Sequence, residues 1–198
     1  MRGRLSAAAG GCVIAAGFYM AIGFMAPPAH ALRAVTSSPS VAAQPVSTPL
    51  TTIDQTPARI VIPAIGVDAE IEARGLASNR DLATAADYRH VAWYDLGPRP
   101  GDPGNAILNG HVSWWTGDAV FTHLGQLRVG DRINVTRADG VAVTFKVTGK
   151  QVVDANARIA SIFAPSSRST LTLITCAGVW NPFTQSDTQR VLVSASLV

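Results

Sequence analysis

Three residues of this 198-residue chain have the chemical types that nucleophilic acyl transfer needs, and each stands at one end of a predicted strand. Cys176 ends a run of β-branched and aliphatic residues, His111 follows a short apolar run, and Arg190 begins the last apolar run. A thiol must become a thiolate to attack, and a neighbouring imidazole is the usual means. A guanidinium offers five donors in a fixed fork, so it can hold a carbonyl oxygen on which negative charge develops.

Each of these residues also has an ordinary structural explanation. A free cysteine is among the most buried residue types and often only completes a core strand. A histidine at a strand end is more often structural than catalytic, and an arginine that begins a strand is commonly an exposed edge residue. Among the other histidines, His30 falls in a linker, and His90 and His123 are interpreted as surface or half-buried residues.

An apolar segment near the N-terminus predicts that the rest of the chain lies outside the cytoplasm. Leu5–Ala26 contains no charged residue and is long enough to cross a bilayer core of about 30 Å. Two arginines precede it, so the positive-inside rule predicts a cytoplasmic tail at residues 1–4 and a single-pass membrane anchor. The alternative is a signal peptide cleaved near Ala31, after an Ala-x-Ala pattern. The anchor is favoured because a signal-peptide core usually has only about 7–15 apolar residues.

The two cysteines are predicted to lie in different compartments. Cys12 falls inside the apolar segment, so it cannot pair with Cys176 while the anchor is retained. An unpaired thiol is unusual in an exported protein, because disulfides form readily outside the cytoplasm. Its presence favours a reactive cysteine over a structural one.

Composition divides the remainder into a linker and one domain. Residues 27–57 contain six prolines and nine serines or threonines, a composition that stays extended because it cannot bury enough apolar surface to fold. Residues 58–198 carry 13 Arg/Lys and 12 Asp/Glu, so the whole-chain pI of 9.2 does not indicate a nucleic-acid partner. No His, Cys and carboxylate cluster stands at metal-ligand spacing, and neither a metal nor a cofactor is expected.

Many short apolar runs separated by turn residues predict a mostly β domain, closed or nearly closed into a barrel. Two segments, 118–127 and 155–163, have spacings that favour short helices. The run that ends at Cys176 is followed by Ala177-Gly178, which predicts a strand end and a loop from residue 177 to 189. The predicted strands are residues 59–65, 67–71, 90–94, 105–109, 131–135, 141–148, 170–175 and 190–197.

Taken together, these motifs resemble the sortases, the membrane-anchored cysteine transpeptidases of Gram-positive bacteria. The most specific is the TLxTC pattern at Thr172–Cys176, which stands downstream of Gly110-His111-Val112 and Gly130-Asp131 and upstream of Arg190–Val193. The resemblance covers residues 58–198, and the predicted anchor and linker agree with it. Cys176-Ala177-Gly178 and the compact length look most like the class F enzymes of actinobacteria, with class E close behind.

The resemblance implies an eight-stranded sortase-type β-barrel with one or two short helices. It also implies roles for three residues: Cys176 as the nucleophile, His111 as the acid/base partner and Arg190 as the cation that stabilises substrate and oxyanion. The substrates it implies are LPxTG-like sorting signals of surface proteins, cut between Thr and Gly through a thioester on Cys176. An amine of a cell-wall precursor would then take the acyl group.

Two alternatives remain open from the sequence. One is another exported cysteine hydrolase or peptidase, although the order of His before Cys is the reverse of that in papain-like wall peptidases. The other is an anchored surface binding module without catalysis, in which Cys176 is a buried core residue. The pair Trp114-Trp115 just after the histidine has no assigned place: it either lines a substrate groove or packs against the fold.

Overall fold

The computed structural model of the protein describes residues 54–198, apart from residues 116 and 185. Three 3-10 helices are present in this part of the chain, at Pro63–Ile65, Leu124–Gln126 and Ala160–Phe163. The strands in chain order are β1 (Pro57–Ile62), β2 (Val67–Arg74), β3 (Val91–Tyr94), β4 (Gly104–Asn109), β5 (Ser113–Trp114), β6 (Gly117–Asp118), β7 (Arg132–Arg137), β8 (Ala142–Asp154), β9 (Ser169–Asn181) and β10 (Ser186–Leu197).

Eight of these strands close into one barrel in the order β1-β2-β3-β4-β9-β10-β8-β7. Most neighbours are antiparallel, but β2 pairs with β3, and β4 with β9, in parallel. The remaining two strands, β5 and β6, form a separate two-stranded ribbon between β4 and β7 in the sequence. The prediction of a mostly β, eight-stranded barrel with few helices is therefore confirmed.

Alternation along the strands separates the barrel interior from its outer face. On β9 the side chains of Leu171 and Leu173 are fully buried in the core, and on β10 Val193 and Ala195 are buried in the same way. Residues between them point to the other face, because successive side chains of a strand alternate. The largest interior side chains include Phe121 and Phe145, both fully buried.

The ends of the two strands that carry Cys176 and Arg190 differ from the prediction. β9 does not stop at Cys176 but continues to Asn181, and β10 begins at Ser186 rather than at Arg190. The reason is a β-bulge, where Gly178 and Val179 of β9 stand opposite the single residue Thr188 of β10. Gly178 has φ +88°, a backbone conformation that favours glycine, so this glycine bends the strand instead of ending it.

The helix predicted for residues 118–127 is also wrong. Only Leu124–Gln126 is helical, as a single 3-10 turn, and the N–H groups of Leu124 and Leu127 donate to carbonyls three residues earlier. The apolar spacing there reflects successive turns that bury Phe121, Leu124 and Leu127 in the core. The second predicted helix, residues 155–163, is reduced to the 3-10 turn Ala160–Phe163.

The predicted membrane anchor Leu5–Ala26 and the linker up to residue 53 lie outside the described residues. Within residues 54–198, no helix combines the length and the apolar character needed to cross a bilayer.

Candidate active site

Cys176 lies on the outer face of β9, next to a cavity of about 480 Å³. Its side chain is half-buried and makes no disulfide. The strand alternation that sends Leu173 and Val193 inward sends Ile174, Cys176 and Leu192 toward this cavity, and all three line it. The sulfur is therefore held by a rigid strand and faces a cleft instead of the core.

Arg190 occupies the position directly opposite Cys176 in the antiparallel ladder of β9 and β10. It lines the same cavity. Residues that face each other across such a ladder have their Cβ atoms about 4.5–5.5 Å apart and project from the same face of the sheet. The sequence-predicted cysteine and arginine are thus brought together by the barrel itself.

The guanidinium of Arg190 is fixed by its own strand. Nη1 donates to the backbone carbonyls of Asp187 and Gln189 at 3.0 and 2.8 Å, and Nη2 donates to the hydroxyl of Ser186 at 2.7 Å. A guanidinium has five N–H groups. Two of them, one on Nε and one on Nη2, have no partner among the described residues.

The pKa of the Cys176 thiol is raised, mainly because burial disfavours the charged thiolate. The positive charge of Arg190 acts in the opposite direction and lowers this pKa, while the carboxylate of Asp187 raises it further. Burial and the two neighbouring charges therefore act in different directions on the same thiol.

His111 reaches the same level of the barrel from β4. Asn109 pairs with Ile174 in the parallel ladder of β4 and β9, and the N–H of Gly110 donates to the carbonyl of Ile174 at 3.1 Å. β4 ends at Asn109, and His111 follows that residue by two positions, as Cys176 follows Ile174 on β9. The structure thus pairs Cys176 with Arg190 directly and places His111 just beyond the end of the neighbouring strand.

Gly110 is required at its position by close packing. A Cβ atom there would lie 2.7 Å from Cδ2 of Phe121 and 2.7 Å from Cγ1 of Val120, well inside van der Waals contact. The carbonyl of Gly110 accepts a hydrogen bond from the buried hydroxyl of Thr175 at 2.8 Å. Packing therefore explains the glycine of the Gly-His pair.

The imidazole of His111 is partly buried between a loop and the β5–β6 ribbon. Its Nε2 lies 3.4 Å from the carbonyl of Ala85, and its ring meets that of Trp114 edge to face, with centroids 6.3 Å apart. The loop from Arg74 to Val91 is held in turn by Glu72, which accepts hydrogen bonds from the N–H of Ala86 and lies 2.9 Å from Nδ1 of His90.

Three parts of the chain line the cleft beside Cys176. Ile174, Cys176 and Leu192 form its floor, and residues of the β2–β3 loop form one wall. The opposite wall comes from the segment after β8, including Ile159, Ile162 and Phe163 of the β8–β9 connection. His111 does not line this cleft.

Comparison with known proteins agrees with this geometry. A sequence model of the sortase domain matches residues 60–198, which is most of the chain and all of the barrel from within β1 onward. The chain belongs to the sortase family.

Solved structures of other sortases are similar to this one. The barrel resembles sortase C-1 from Actinomyces oris at 26% identity and a TM-score of 0.55, covering 71% of this chain and 73% of that one. It resembles sortase A from Corynebacterium diphtheriae at 23% identity and a TM-score of 0.56, covering 73% and 61%, so this chain spans less than two thirds of that protein. Sortase C1 from Streptococcus agalactiae gives 22% identity, a TM-score of 0.55, and coverage of 71% and 66%. No curated protein sequence matches the chain.

Two histidines that the sequence set aside, His90 and His123, lie beside carboxylates. His90 pairs with Glu72 and lies 3.8 Å from Glu70, while His123 lies 3.5 Å from a carboxylate oxygen of Asp118. Neither lines the cleft. Among the described residues, no three His, Cys, Asp or Glu side chains are grouped to hold a metal ion.

Sequence reasoning missed the residues that hold the sortase site in place. Thr175 looks like one more β-branched strand residue, and Glu72 looks like an exposed strand carboxylate. Their roles depend on partners distant in sequence, 65 residues from Thr175 to Gly110 and 18 residues from Glu72 to His90. No local pattern in the sequence carries that information.

Proposed function

We propose that this sortase is a cysteine transpeptidase that cleaves an LPxTG-like sorting signal between Thr and Gly and transfers the acyl group to a cell-wall amine. The observation that supports it best is the pairing of Cys176 with Arg190 across β9 and β10, at the edge of an apolar cleft. A thiol, a fixed cation and a groove for an extended peptide are what this chemistry requires.

The reaction would proceed in two displacements. His111 takes the proton of the Cys176 thiol, the thiolate attacks the threonine carbonyl, and the two available N–H groups of Arg190 bind the developing oxyanion. The C–N bond to glycine then breaks, His111 delivers a proton to the departing amine, and a thioester remains on Cys176. In the second displacement an amine of a cell-wall precursor attacks the thioester, the C–S bond breaks, and the proton lost by the amine returns by way of His111 to the thiol.

The cleft suits an extended, largely apolar peptide. Leu76, Leu82 and Ile159 contribute apolar surface to its walls, and an extended segment of four or five residues can be shielded there from water. Shielding matters because a thioester that meets water before an amine is hydrolysed. The sequence resemblance favours class F over class E for this enzyme.

We also propose that Leu5–Ala26 anchors the enzyme in the cell membrane, with a cytoplasmic N-terminus and an extracellular catalytic domain. The mature protein should then begin at or near Met1 and remain in the membrane fraction. N-terminal sequencing that starts at Leu32 would establish the alternative, secretion after cleavage near Ala31.

The test of the reaction is a panel of peptides related to LPxTG, incubated with the enzyme and different amines and read by mass spectrometry. We expect cleavage after threonine, a thioester adduct on the enzyme, and ligation to some of the amines. Cys176→Ala should lose all three while unfolding at the same temperature as the native protein. Turnover in that variant would overturn the cysteine mechanism.

The same experiment separates the two alternatives. A hydrolase or peptidase would release the cleaved peptide without ligation to any amine. A binding module would show no adduct, and its Cys176 would resist alkylation in the folded state, as a buried core thiol does.

A further inference from the structure

A second arginine lines the cleft beside Cys176, and no step of the proposed reaction uses it. Arg80 lies in the loop between β2 and β3 and borders the same cavity as Cys176 and Arg190. Its side chain is exposed, and within the described residues it forms neither an ion pair nor a side-chain hydrogen bond. A guanidinium in this situation can bind a group that enters the cleft.

The β2–β3 loop holds Arg80 at the tip of a short hairpin. Leu76 and Leu82 form an antiparallel bridge, and the N–H of Ala77 donates to the carbonyl of Asp81 at 2.9 Å. The N–H of Arg80 donates to the carbonyl of Ala77, also at 2.9 Å, and closes the turn. Backbone hydrogen bonds therefore fix the point on the cleft wall from which the Arg80 side chain extends.

The backbone of Arg80 has an unusual conformation. Its φ is +68°, and no other residue except glycine has a positive φ in the described part of the chain. Glycine or asparagine usually occupies such a position in a tight hairpin, because other L-residues are strained there. Strained residues of this kind cluster at functional sites. The strain at Arg80 therefore agrees with a role for its side chain in the cleft.

The charges that line the cleft favour an anionic partner. The charged residues of the lining are Arg80, Asp81 and Arg190, two positive and one negative. The carboxylate of Asp81 accepts a hydrogen bond from Nδ2 of Asn79 at 2.8 Å, and the guanidinium of Arg190 is held by its own strand. Arg80 is therefore the charged group of this lining that has no partner of its own within residues 54–198.

The sorting signal limits which group can pair with Arg80. In an LPxTG-like peptide the side chains of leucine, proline, threonine and glycine are uncharged, so only the variable residue x can supply a carboxylate. This residue immediately precedes the threonine whose carbonyl Cys176 would attack. A guanidinium binds a carboxylate through two parallel N–H···O bonds, which combine charge with geometric selectivity.

We infer that Arg80 is a specificity-determining residue that pairs with an aspartate or glutamate at the variable position of the sorting signal. This inference rests on the proposed transpeptidase function and adds the charge of the preferred substrate to it. The ion pair is accessible to water, so its effect is modest and falls as salt is added.

The experiment compares three peptides that differ only at the variable position, which holds glutamate, glutamine or lysine. With the native enzyme we expect kcat/KM to be about two- to fivefold higher for glutamate than for glutamine, the range of one exposed ion pair, and lowest for lysine. Added sodium chloride should reduce this preference.

Two variants of Arg80 separate its charge from its backbone. Arg80→Asn should abolish the preference, because asparagine is uncharged and tolerates a left-handed backbone conformation. Arg80→Glu should reverse the preference, so that the lysine peptide is cleaved fastest of the three. A residue with a merely structural role would change the rates of all three peptides together.

Arg128→Glu is the matched control. Arg128 is also an exposed arginine without an ion pair among the described residues, and it does not line the cleft. Its reversal changes the net charge of the protein as much as Arg80→Glu does, but it should leave the order of the three peptides unchanged. An equal change of order in both variants would attribute the preference to overall charge and overturn the contact at Arg80.

The same measurements distinguish this inference from the proposed function. Cleavage of all three peptides at one rate by the native enzyme, or an acidic preference that persists in Arg80→Asn, would overturn the role of Arg80 and leave the transpeptidase intact. Cleavage of none of the peptides, with no thioester adduct on Cys176, would overturn the proposed function and this inference with it.

Discussion

The hydroxyl of Thr175 donates a hydrogen bond of 2.8 Å to the carbonyl of Gly110, deep between β9 and β4. Each of these residues immediately precedes a proposed catalytic residue, Cys176 on one strand and His111 on the other. The bond therefore fixes where the backbone at Cys176 lies along the strand direction relative to the backbone at His111. It is a positioning contact, since neither residue needs to touch a substrate.

Thr175→Val should weaken both stability and rate. Valine has nearly the same shape but lacks the hydroxyl, so it removes the hydrogen bond to the buried carbonyl of Gly110, at a cost of about 1–3 kcal/mol in the free energy of unfolding. Urea unfolding measures the loss, and kcat measures the effect on the site. Thr175→Ser retains the donor and should restore the rate; if it does not, the methyl packing rather than the hydrogen bond positions the site.

The pH at which Cys176 becomes reactive toward an alkylating agent should shift in opposite directions in two variants. Asp187 raises the pKa of the thiol, so Asp187→Asn should shift the profile to lower pH. Arg190 lowers this pKa, so Arg190→Gln should shift the profile to higher pH. Iodoacetamide labelling followed by mass spectrometry gives both curves. Shifts of the same sign would show that the two residues act on Cys176 through structure and not through charge.

His111→Ala should reduce kcat/KM by roughly 10²–10⁴-fold, the usual effect of losing a general acid and base. The native enzyme should show a bell-shaped pH dependence, and one limb should disappear in the variant. His123→Ala is the control, because His123 is exposed and contacts Asp118 and Gln126 at a distance from the cleft. An equal loss in the two variants would remove His111 from the mechanism.

Arg190→Ala should reduce kcat by at least about 10²-fold, as the loss of an oxyanion donor does. Arg190→Lys should recover only part of this, because an ammonium keeps the charge but cannot make the three hydrogen bonds that hold the guanidinium in place. Ser186→Ala removes one of the three and should have a small effect. Full activity in Arg190→Ala would leave a mechanism of cysteine and histidine alone.

Acid should destabilise the loop next to His111 through Glu72. Burial raises the pKa of this carboxyl, but hydrogen bonds from the N–H of Ala86, Arg74 and His90 outweigh it and lower the pKa to about 2. A lowered pKa means stability that is present above the ordinary value of 4.5 and is lost as the pH falls toward 2. The melting temperature should fall through this window, less steeply in Glu72→Gln.

Glu70→Gln is the matched control for Glu72. Glu70 lies two residues earlier on the same strand, and it is 77% exposed, with His90 3.8 Å away as its only ion-pair contact within residues 54–198. Its replacement should leave the acid dependence of melting unchanged. The same slope in the native protein and in Glu72→Gln would contradict the assignment.

Features of this protein that depend on neighbouring residues in the sequence could be predicted, and features that depend on residues distant in the sequence could not. The strands and the barrel follow from apolar runs and turns, and the cysteine, histidine and arginine stand out by residue type. The extension of β9 beyond Cys176 could not be foreseen, because Gly178 looks like a strand end unless the bulge against Thr188 is known. Likewise, the spacing of Phe121, Leu124 and Leu127 fits a helix, although tertiary burial of successive turns produces the same pattern.

The order of the strands has a consequence for how Cys176 and Arg190 come together during folding. The cysteine strand β9 pairs on one side with β4, from a distant part of the sequence, and on the other with β10, which follows it in the sequence. Contacts between residues far apart in sequence form late, because a long loop must close first. The Cys176 thiol and the Arg190 guanidinium therefore share one face only after β4, β9 and β10 have all entered the barrel.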